Sequence, residues 1–199
     1  ILNPDATLHE TSLENFFKTI KQVSVFAIMA PYVQEKKDEN KKIDNNNSSP
    51  ILVKNVKGFA MFLNMSEFQD VGFFDENFFF YFEEIDLCKR LVKAHKKIYL
   101  DPNIKINHTG GKSHDNVINM PMELSRNWHW MWSTFYYHKK YKGFFVSFLI
   151  ILPKLSSAAL KVILYSLFLN RKKREIYSHR FLGLINSIMG KDSWYRPKI

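Results

Sequence analysis

The run Asn77-Phe-Phe-Phe-Tyr-Phe-Glu-Glu-Ile-Asp-Leu-Cys-Lys-Arg90 constrains this chain more than any other, because an aromatic segment there ends abruptly in Glu83, Glu84 and Asp86. Consecutive aromatic side chains belong in an interior, and carboxylates buried without partners are costly. The acids therefore belong at the mouth of a cleft, and the segment reads as an acidic edge suited to catalysis.

From Glu83 the spacing turns helical, with Leu87, Cys88, Leu91 and Ala94 forming an apolar stripe that Glu84 joins one turn earlier. Glu84 is thus expected on the protein-facing side of a helix N-terminus, where the macrodipole favours a carboxylate. Glu83 and Asp86, three apart, share a neighbouring face. Clustered acids raise one another's pKa values while a helix N-terminus lowers them, so the two effects oppose here.

Around this edge the pattern is α/β. Ile1-Leu-Asn-Pro-Asp5 reads as a strand running into a turn, which puts Asp5 at a strand's C-terminal end, where α/β sheets place ligand groups. Thr11-Ser-Leu-Glu14 has capping-box spacing ahead of Leu13, Phe16, Phe17 and Ile20, an amphipathic helix over 12–22. Strands are expected over 23–30, 51–56, 58–63, 97–100 and 104–108, the last ending on His108 before a flexible Thr109-Gly-Gly-Lys-Ser113. Ser66 is expected to cap a short helix stopped at Gly72. Residues 35–50, rich in Lys, Asp and Asn, have almost nothing to bury and read as a mobile loop within the domain. Pro121 opens an aromatic helix to residue 141.

The net charge of +10 is confined to one end. Residues 1–138 carry 16 basic and 17 acidic groups, whereas 139–199 carry 13 and 2. Within that end, Phe144–Leu169 is long enough to cross a bilayer, with Lys154 and Lys161 its only charges. Ser147, Lys154 and Lys161 recur every seven residues as one polar stripe and Pro153 interrupts the middle, so an interfacial or re-entrant helix pair is expected over a clean span. Arg171-Lys-Lys-Arg174 follows, a polybasic flank typical of a cytoplasmic membrane surface. Nucleic acid is the weaker partner, because the aromatics alternate with apolar runs rather than line a charged groove. The single cysteine, Cys88, excludes an intramolecular disulfide framework and a cysteine-based zinc site. The chain opens on Ile rather than Met, shows no signal peptide, and reads as a fragment.

Asp5, the 83–86 acids and His108 all fall at element ends. A carboxylate and an imidazole with open water positions suit Mg²⁺ or Mn²⁺. Each also has a structural reading: Asp5 as a turn residue, His108 as a loop hydrogen-bonder, the acids as helix caps. Gly58 would let backbone approach a sugar closely, or is simply a strand-start glycine.

Asn3-Pro-Asp5, Gly58-Phe-Ala-Met-Phe-Leu63, the run Val71–Arg90, and Ile106-Asn-His108 with Ser113 nearby resemble the C-terminal half of family-two glycosyltransferases of the rhamnosyltransferase-like group. The resemblance covers about residues 1–140. It implies an incomplete GT-A fold, a mixed sheet with helices, as the acceptor-side half of a catalytic domain over 1–140. The nucleotide-binding half would be missing, and 141–199 would be a basic, membrane-associated helical tail. It also implies transfer of a sugar, rhamnose among the candidates, with inversion from a nucleotide-diphosphate donor to a lipid-linked or polysaccharide acceptor. Residue by residue, Asp5 resembles the last acid of the family's metal-binding DxD-type motif and His108 the histidine completing it. Glu84 matches the general base and Glu83 the acceptor-side acid before it. The departure is at Glu84, where Asp is commoner; glutamate extends the carboxylate by one methylene. The expected location is the cytoplasmic face of a bacterial inner membrane. The alternative is a non-catalytic peripheral protein whose basic helices bind anionic lipid.

Overall fold

The computed structural model describes residues 1–23, 25–31, 49–108 and 119–197, with the side chain of His108 outside that set. The loop expected over 35–50 falls mostly outside the described residues, and the Thr109–Ser113 loop wholly so. The chain is mixed α/β and packs as two compact units, Ile1–Phe74 with Glu84–Ser113, and Asp75–Glu83 with His114–Ile199. The boundary expected at residue 140 falls instead inside the second unit.

The first unit contains β1 (Ala6–Leu8), α1 (Ser12–Gln22), β2 (Ile28–Pro31), β3 (Ile51–Val53), β4 (Phe62–Leu63), nearly all of α2 (Glu83–Lys93), β5 (Ile98–Asp101) and β6 (Ile106–His108). Its four-stranded sheet runs β3-β5-β2-β4, parallel only between β2 and β5. All four residues of β2 are buried, as a central parallel strand requires. The core beneath gathers Ile28, Phe68, Leu87, Cys88, Leu91 and Ile98. Leu87 and Leu91 are fully buried, each contributing about 1.5–3 kcal/mol by leaving water. Ala94 does not join this stripe; it lies past the end of α2 and is exposed.

Two local expectations change. The Ser66 cap is absent: the short turn of 3-10 helix over Met65–Phe68 starts after Asn64, whose side chain accepts from Ser66, although Gly72 does end the segment with a left-handed φ of 73°. Helix α1 has the expected ends but no side-chain cap at Thr11, and Glu14 pairs with Lys18 at 2.7 Å instead of closing a capping box. Leu13 and Phe17 are exposed, Phe16 stacks on Phe62, and beside it the inward face carries polar groups. Ser12 donates to the Lys105 carbonyl, Asn15 to that of Asn103 at 2.8 Å, and Thr19 to the buried Asp101 carboxylate at 2.6 Å. The loop after β5 thus has its acceptors satisfied by α1, which outweighs burial of the apolar pair.

The second unit is helical: α3 (Asn119–Lys142), α4 (Phe144–Leu167) and α5 (Arg171–Ile188). Met131, Phe135, Ile151 and Leu184 form its core. Gly183 lets α5 approach α3 so closely that a Cβ there would collide with the Trp128 carbonyl. The aromatic run belongs here too, lying on α3: Phe78 packs on Tyr136, Phe79 and Phe80 on His129, Tyr81 and Phe82 on Trp130.

Helix α4 corrects the re-entrant expectation, because Pro153 sits within one continuous helix of 24 residues. The seven-residue stripe divides: Ser147 is buried and Lys161 half-buried, but Lys154 is exposed. Ser147, Ile151 and Ala158 are buried and Lys161 reaches Tyr177 of α5, whereas Phe145, Leu149, Leu160, Ile163 and Leu167 are exposed. The helix is long and apolar enough to cross a membrane, and only 17% of its most apolar window is buried.

Candidate functional site

Two backbone pairings bring most of the expected residues to one edge of the first unit. Residues 1–3 lie against 59–61: Asn3 N–H donates to the Phe59 carbonyl at 2.8 Å and Met61 N–H to that of Ile1 at 3.0 Å. The chain then turns through Asn3-Pro4-Asp5-Ala6, closed by an Ala6 N–H to Asn3 carbonyl bond of 3.0 Å. Asn at the first and Pro at the second position suit such a turn. Strand β1 next pairs antiparallel with β6, setting Ala6 opposite His108.

Asp5 therefore stands at the corner where the chain leaves the 59–61 segment for β6, half-buried and one residue from the partner of His108. The two expected metal ligands are brought onto adjoining strands. The orientation of the His108 ring lies outside the described residues. Among the described residues no three His, Cys, Asp or Glu side chains converge as a ligand set. A carboxylate and an imidazole are donor types that suit a divalent ion with open water positions.

Gly58, one residue before the Phe59 that anchors Asn3, lies directly against Glu84. A Cβ at position 58 would come 3.4 Å from the Glu84 Cβ and 3.6 Å from its Cγ. These are ordinary van der Waals distances, so position 58 and Glu84 are packing neighbours. Burial pushes the Glu84 carboxyl above its ordinary range, opposed by backbone N–H groups of Glu84 and Ile85 at the start of α2. The opposition expected from the sequence exists, but desolvation supplies the upward push. One Glu84 oxygen, Oε2, is buried and accepts no hydrogen bond among the described residues. A partly desolvated carboxyl with a raised pKa is the form a general base takes near neutrality.

Glu83 is the neighbour of Glu84 in sequence but packs with the second unit, near enough to Tyr81 to influence its hydroxyl. Tyr81 and Phe82, just before it, both adopt left-handed φ values of 66° and 72°. Two such conformations in succession on bulky residues are strained. Asp86 does something else: wholly buried, it holds Arg90 at 2.8 Å, and Arg90 donates onward to the carbonyls of Val71, Gly72 and Phe73. It braces the loop over α2, consistent with a structural role.

The sequence reading missed the contact of Glu84 with Gly58 and the strain at Tyr81 and Phe82. Nothing in a linear sequence signals the first; the second is contrary to what aromatic residues prefer. No family model, curated protein or solved structure matches this chain.

Proposed function

We propose that the chain forms the acceptor-side part of an inverting glycosyltransferase that uses a nucleotide-diphosphate sugar and works at a membrane on a lipid-linked or glycan acceptor. The observation that carries this reading is the half-buried Glu84 carboxyl beside Gly58, its Oε2 buried and its pKa raised, on the edge that also holds Asp5 and His108. Glu84 takes the proton of the acceptor hydroxyl. The acceptor oxygen then forms its bond to the anomeric carbon as the bond to the diphosphate oxygen breaks on the opposite side, which inverts the centre. Glu83 orients the acceptor, and alignment of the two substrates supplies much of the rate. A divalent ion held by Asp5 and His108 would supply neutralisation of the leaving diphosphate. The exposed apolar face of α4 and the Arg171–Arg174 run support attachment to the cytoplasmic face of a bacterial inner membrane.

The test is sugar transfer by the full-length protein. Glu84→Gln is expected to lower kcat by about a hundredfold or more, and unchanged turnover removes Glu84 from the base role. Transfer that persists in EDTA removes the metal. The second reading, a non-catalytic lipid-binding protein, draws on the same helical face and predicts neither effect.

A further inference from the structure

A cavity of about 350 Å³ opens between α3, α4 and α5. Lys154 and Lys161 enter it from α4, Arg180 and Tyr177 from α5, and Trp130 from α3; no acid lines it. Lys161 reaches the Tyr177 hydroxyl at 3.4 Å, and Arg180 donates to Asn127 at 2.6 Å while lying over the Tyr177 ring. None of the three cations is ion-paired with a carboxylate among the described residues. An adjoining cavity of about 300 Å³ shares Trp130 and Arg180 and adds Arg126. Glu123 lines that second cavity and is itself paired with Lys172 at 3.3 Å.

Lys161 and Arg180 are half-buried and Lys154 is exposed, and the two lysines stand on a helix that also carries an exposed apolar face. Lysines within an apolar helix of this length are expensive to keep unless they face a polar cavity, and they then mark a ligand path. Successive lysines seven residues apart stand about 10 Å apart along the helix, enough for both to meet one headgroup. A guanidinium beside two ammonium groups suits phosphate oxygens, since arginine forks onto two oxygens and lysine neutralises the rest.

We infer that this cavity binds the phosphate headgroup of an anionic membrane lipid, whose chains lie along the exposed face of α4. The site rests on the membrane half of the proposed function and not on sugar transfer. The chemistry recognised is a phosphate monoester, which a lipid or a soluble phosphate could both present; the apolar face assigns it to lipid.

The test uses the full chain with vesicles of phosphatidylcholine alone, or with phosphatidic acid or phosphatidylserine added to equal charge. High salt screens the exposed Arg171–Arg174 run more than a cavity. At high salt the protein should bind the phosphatidylcholine vesicles and prefer phosphatidic acid over phosphatidylserine by about tenfold, the scale of a lost charge-assisted contact. The triple variant Lys154→Gln, Lys161→Gln, Arg180→Gln should bind phosphatidylcholine as before and lose that preference, while Lys154→Arg with Lys161→Arg should keep it. A triple variant that keeps the preference, or a wild type that lacks it, overturns the site. Displacement by millimolar pyrophosphate without release from the vesicle assigns the cavity to soluble phosphate and overturns the lipid source. Absence of binding to phosphatidylcholine overturns the membrane reading and the lipid site together, leaving the transfer assay untouched.

Discussion

Glu84 and Asp86 are two residues apart, both acidic and both on α2, yet their surroundings give them opposite work. Asp86 is fully buried against Arg90, which in turn ties down three carbonyls of the 71–73 turn. Glu84 has a buried oxygen with no hydrogen-bond partner among the described residues, and Gly58 is its neighbour. Its folded pKa is raised, so the folded chain holds this proton more tightly than the unfolded one. Stability from this group is therefore present at low pH and lost as pH rises through the folded pKa. At neutral pH the charged form works against the fold, and Glu84→Gln should raise the unfolding free energy while lowering the proposed transfer. Denaturant titration checks this, and a variant less stable than wild type at neutral pH would show that the carboxylate braces the structure.

At the scale of elements, identity was legible and facing was not. The starts and ends of α1 and α2 follow from periodicity, but α1 turns Ser12, Asn15 and Thr19 inward to serve acceptors on the loop after β5 and leaves Leu13 and Phe17 outside. A hydrophobic stripe competes with unsatisfied carbonyls, and the winner depends on a loop some 80 residues away, as the separations of these bonds record. The packing of α3 against the chain end shows the same dependence. His129 is buried on α3, its Nε2 2.8 Å from the Tyr195 carbonyl and its Nδ1 3.0 Å from the Ser193 hydroxyl. Burial lowers its pKa to about 4. With an ordinary value near 6.5 when unfolded, the folded chain binds fewer protons between those values. The helical unit should be at full stability above pH 6.5 and lose about 2 kcal/mol as pH falls toward 4. Thermal melts followed by circular dichroism read this directly, and His129→Gln should flatten the slope.

For the whole molecule, the exposed apolar face of α4 is what supports the proposed membrane attachment. Helix α4 packs Ser147, Ile151 and Ala158 inward and leaves Phe145, Leu149, Leu160, Ile163 and Leu167 exposed, an apolar face that an ordinary surface helix does not show. Leu149→Asp with Leu160→Asp, both on the outward face, should abolish flotation with neutral vesicles, since a charge in the hydrocarbon costs about 3 kcal/mol. Retained flotation would move the attachment to another part of the chain. The sequence by itself determined the α/β pattern, the acidic edge at the head of α2, the confinement of excess charge to the last third, and the seven-residue stripe of α4. These are local or periodic properties, carried by side-chain chemistry and spacing alone. Tertiary structure decided that Gly58 faces Glu84, that Asp5 stands beside the strand of His108, that Asp86 goes to Arg90, and that Lys161 of α4 meets Tyr177 of α5. Each is a pairing between distant segments, set by which surfaces and hydrogen-bonding groups find partners when the chain closes on itself.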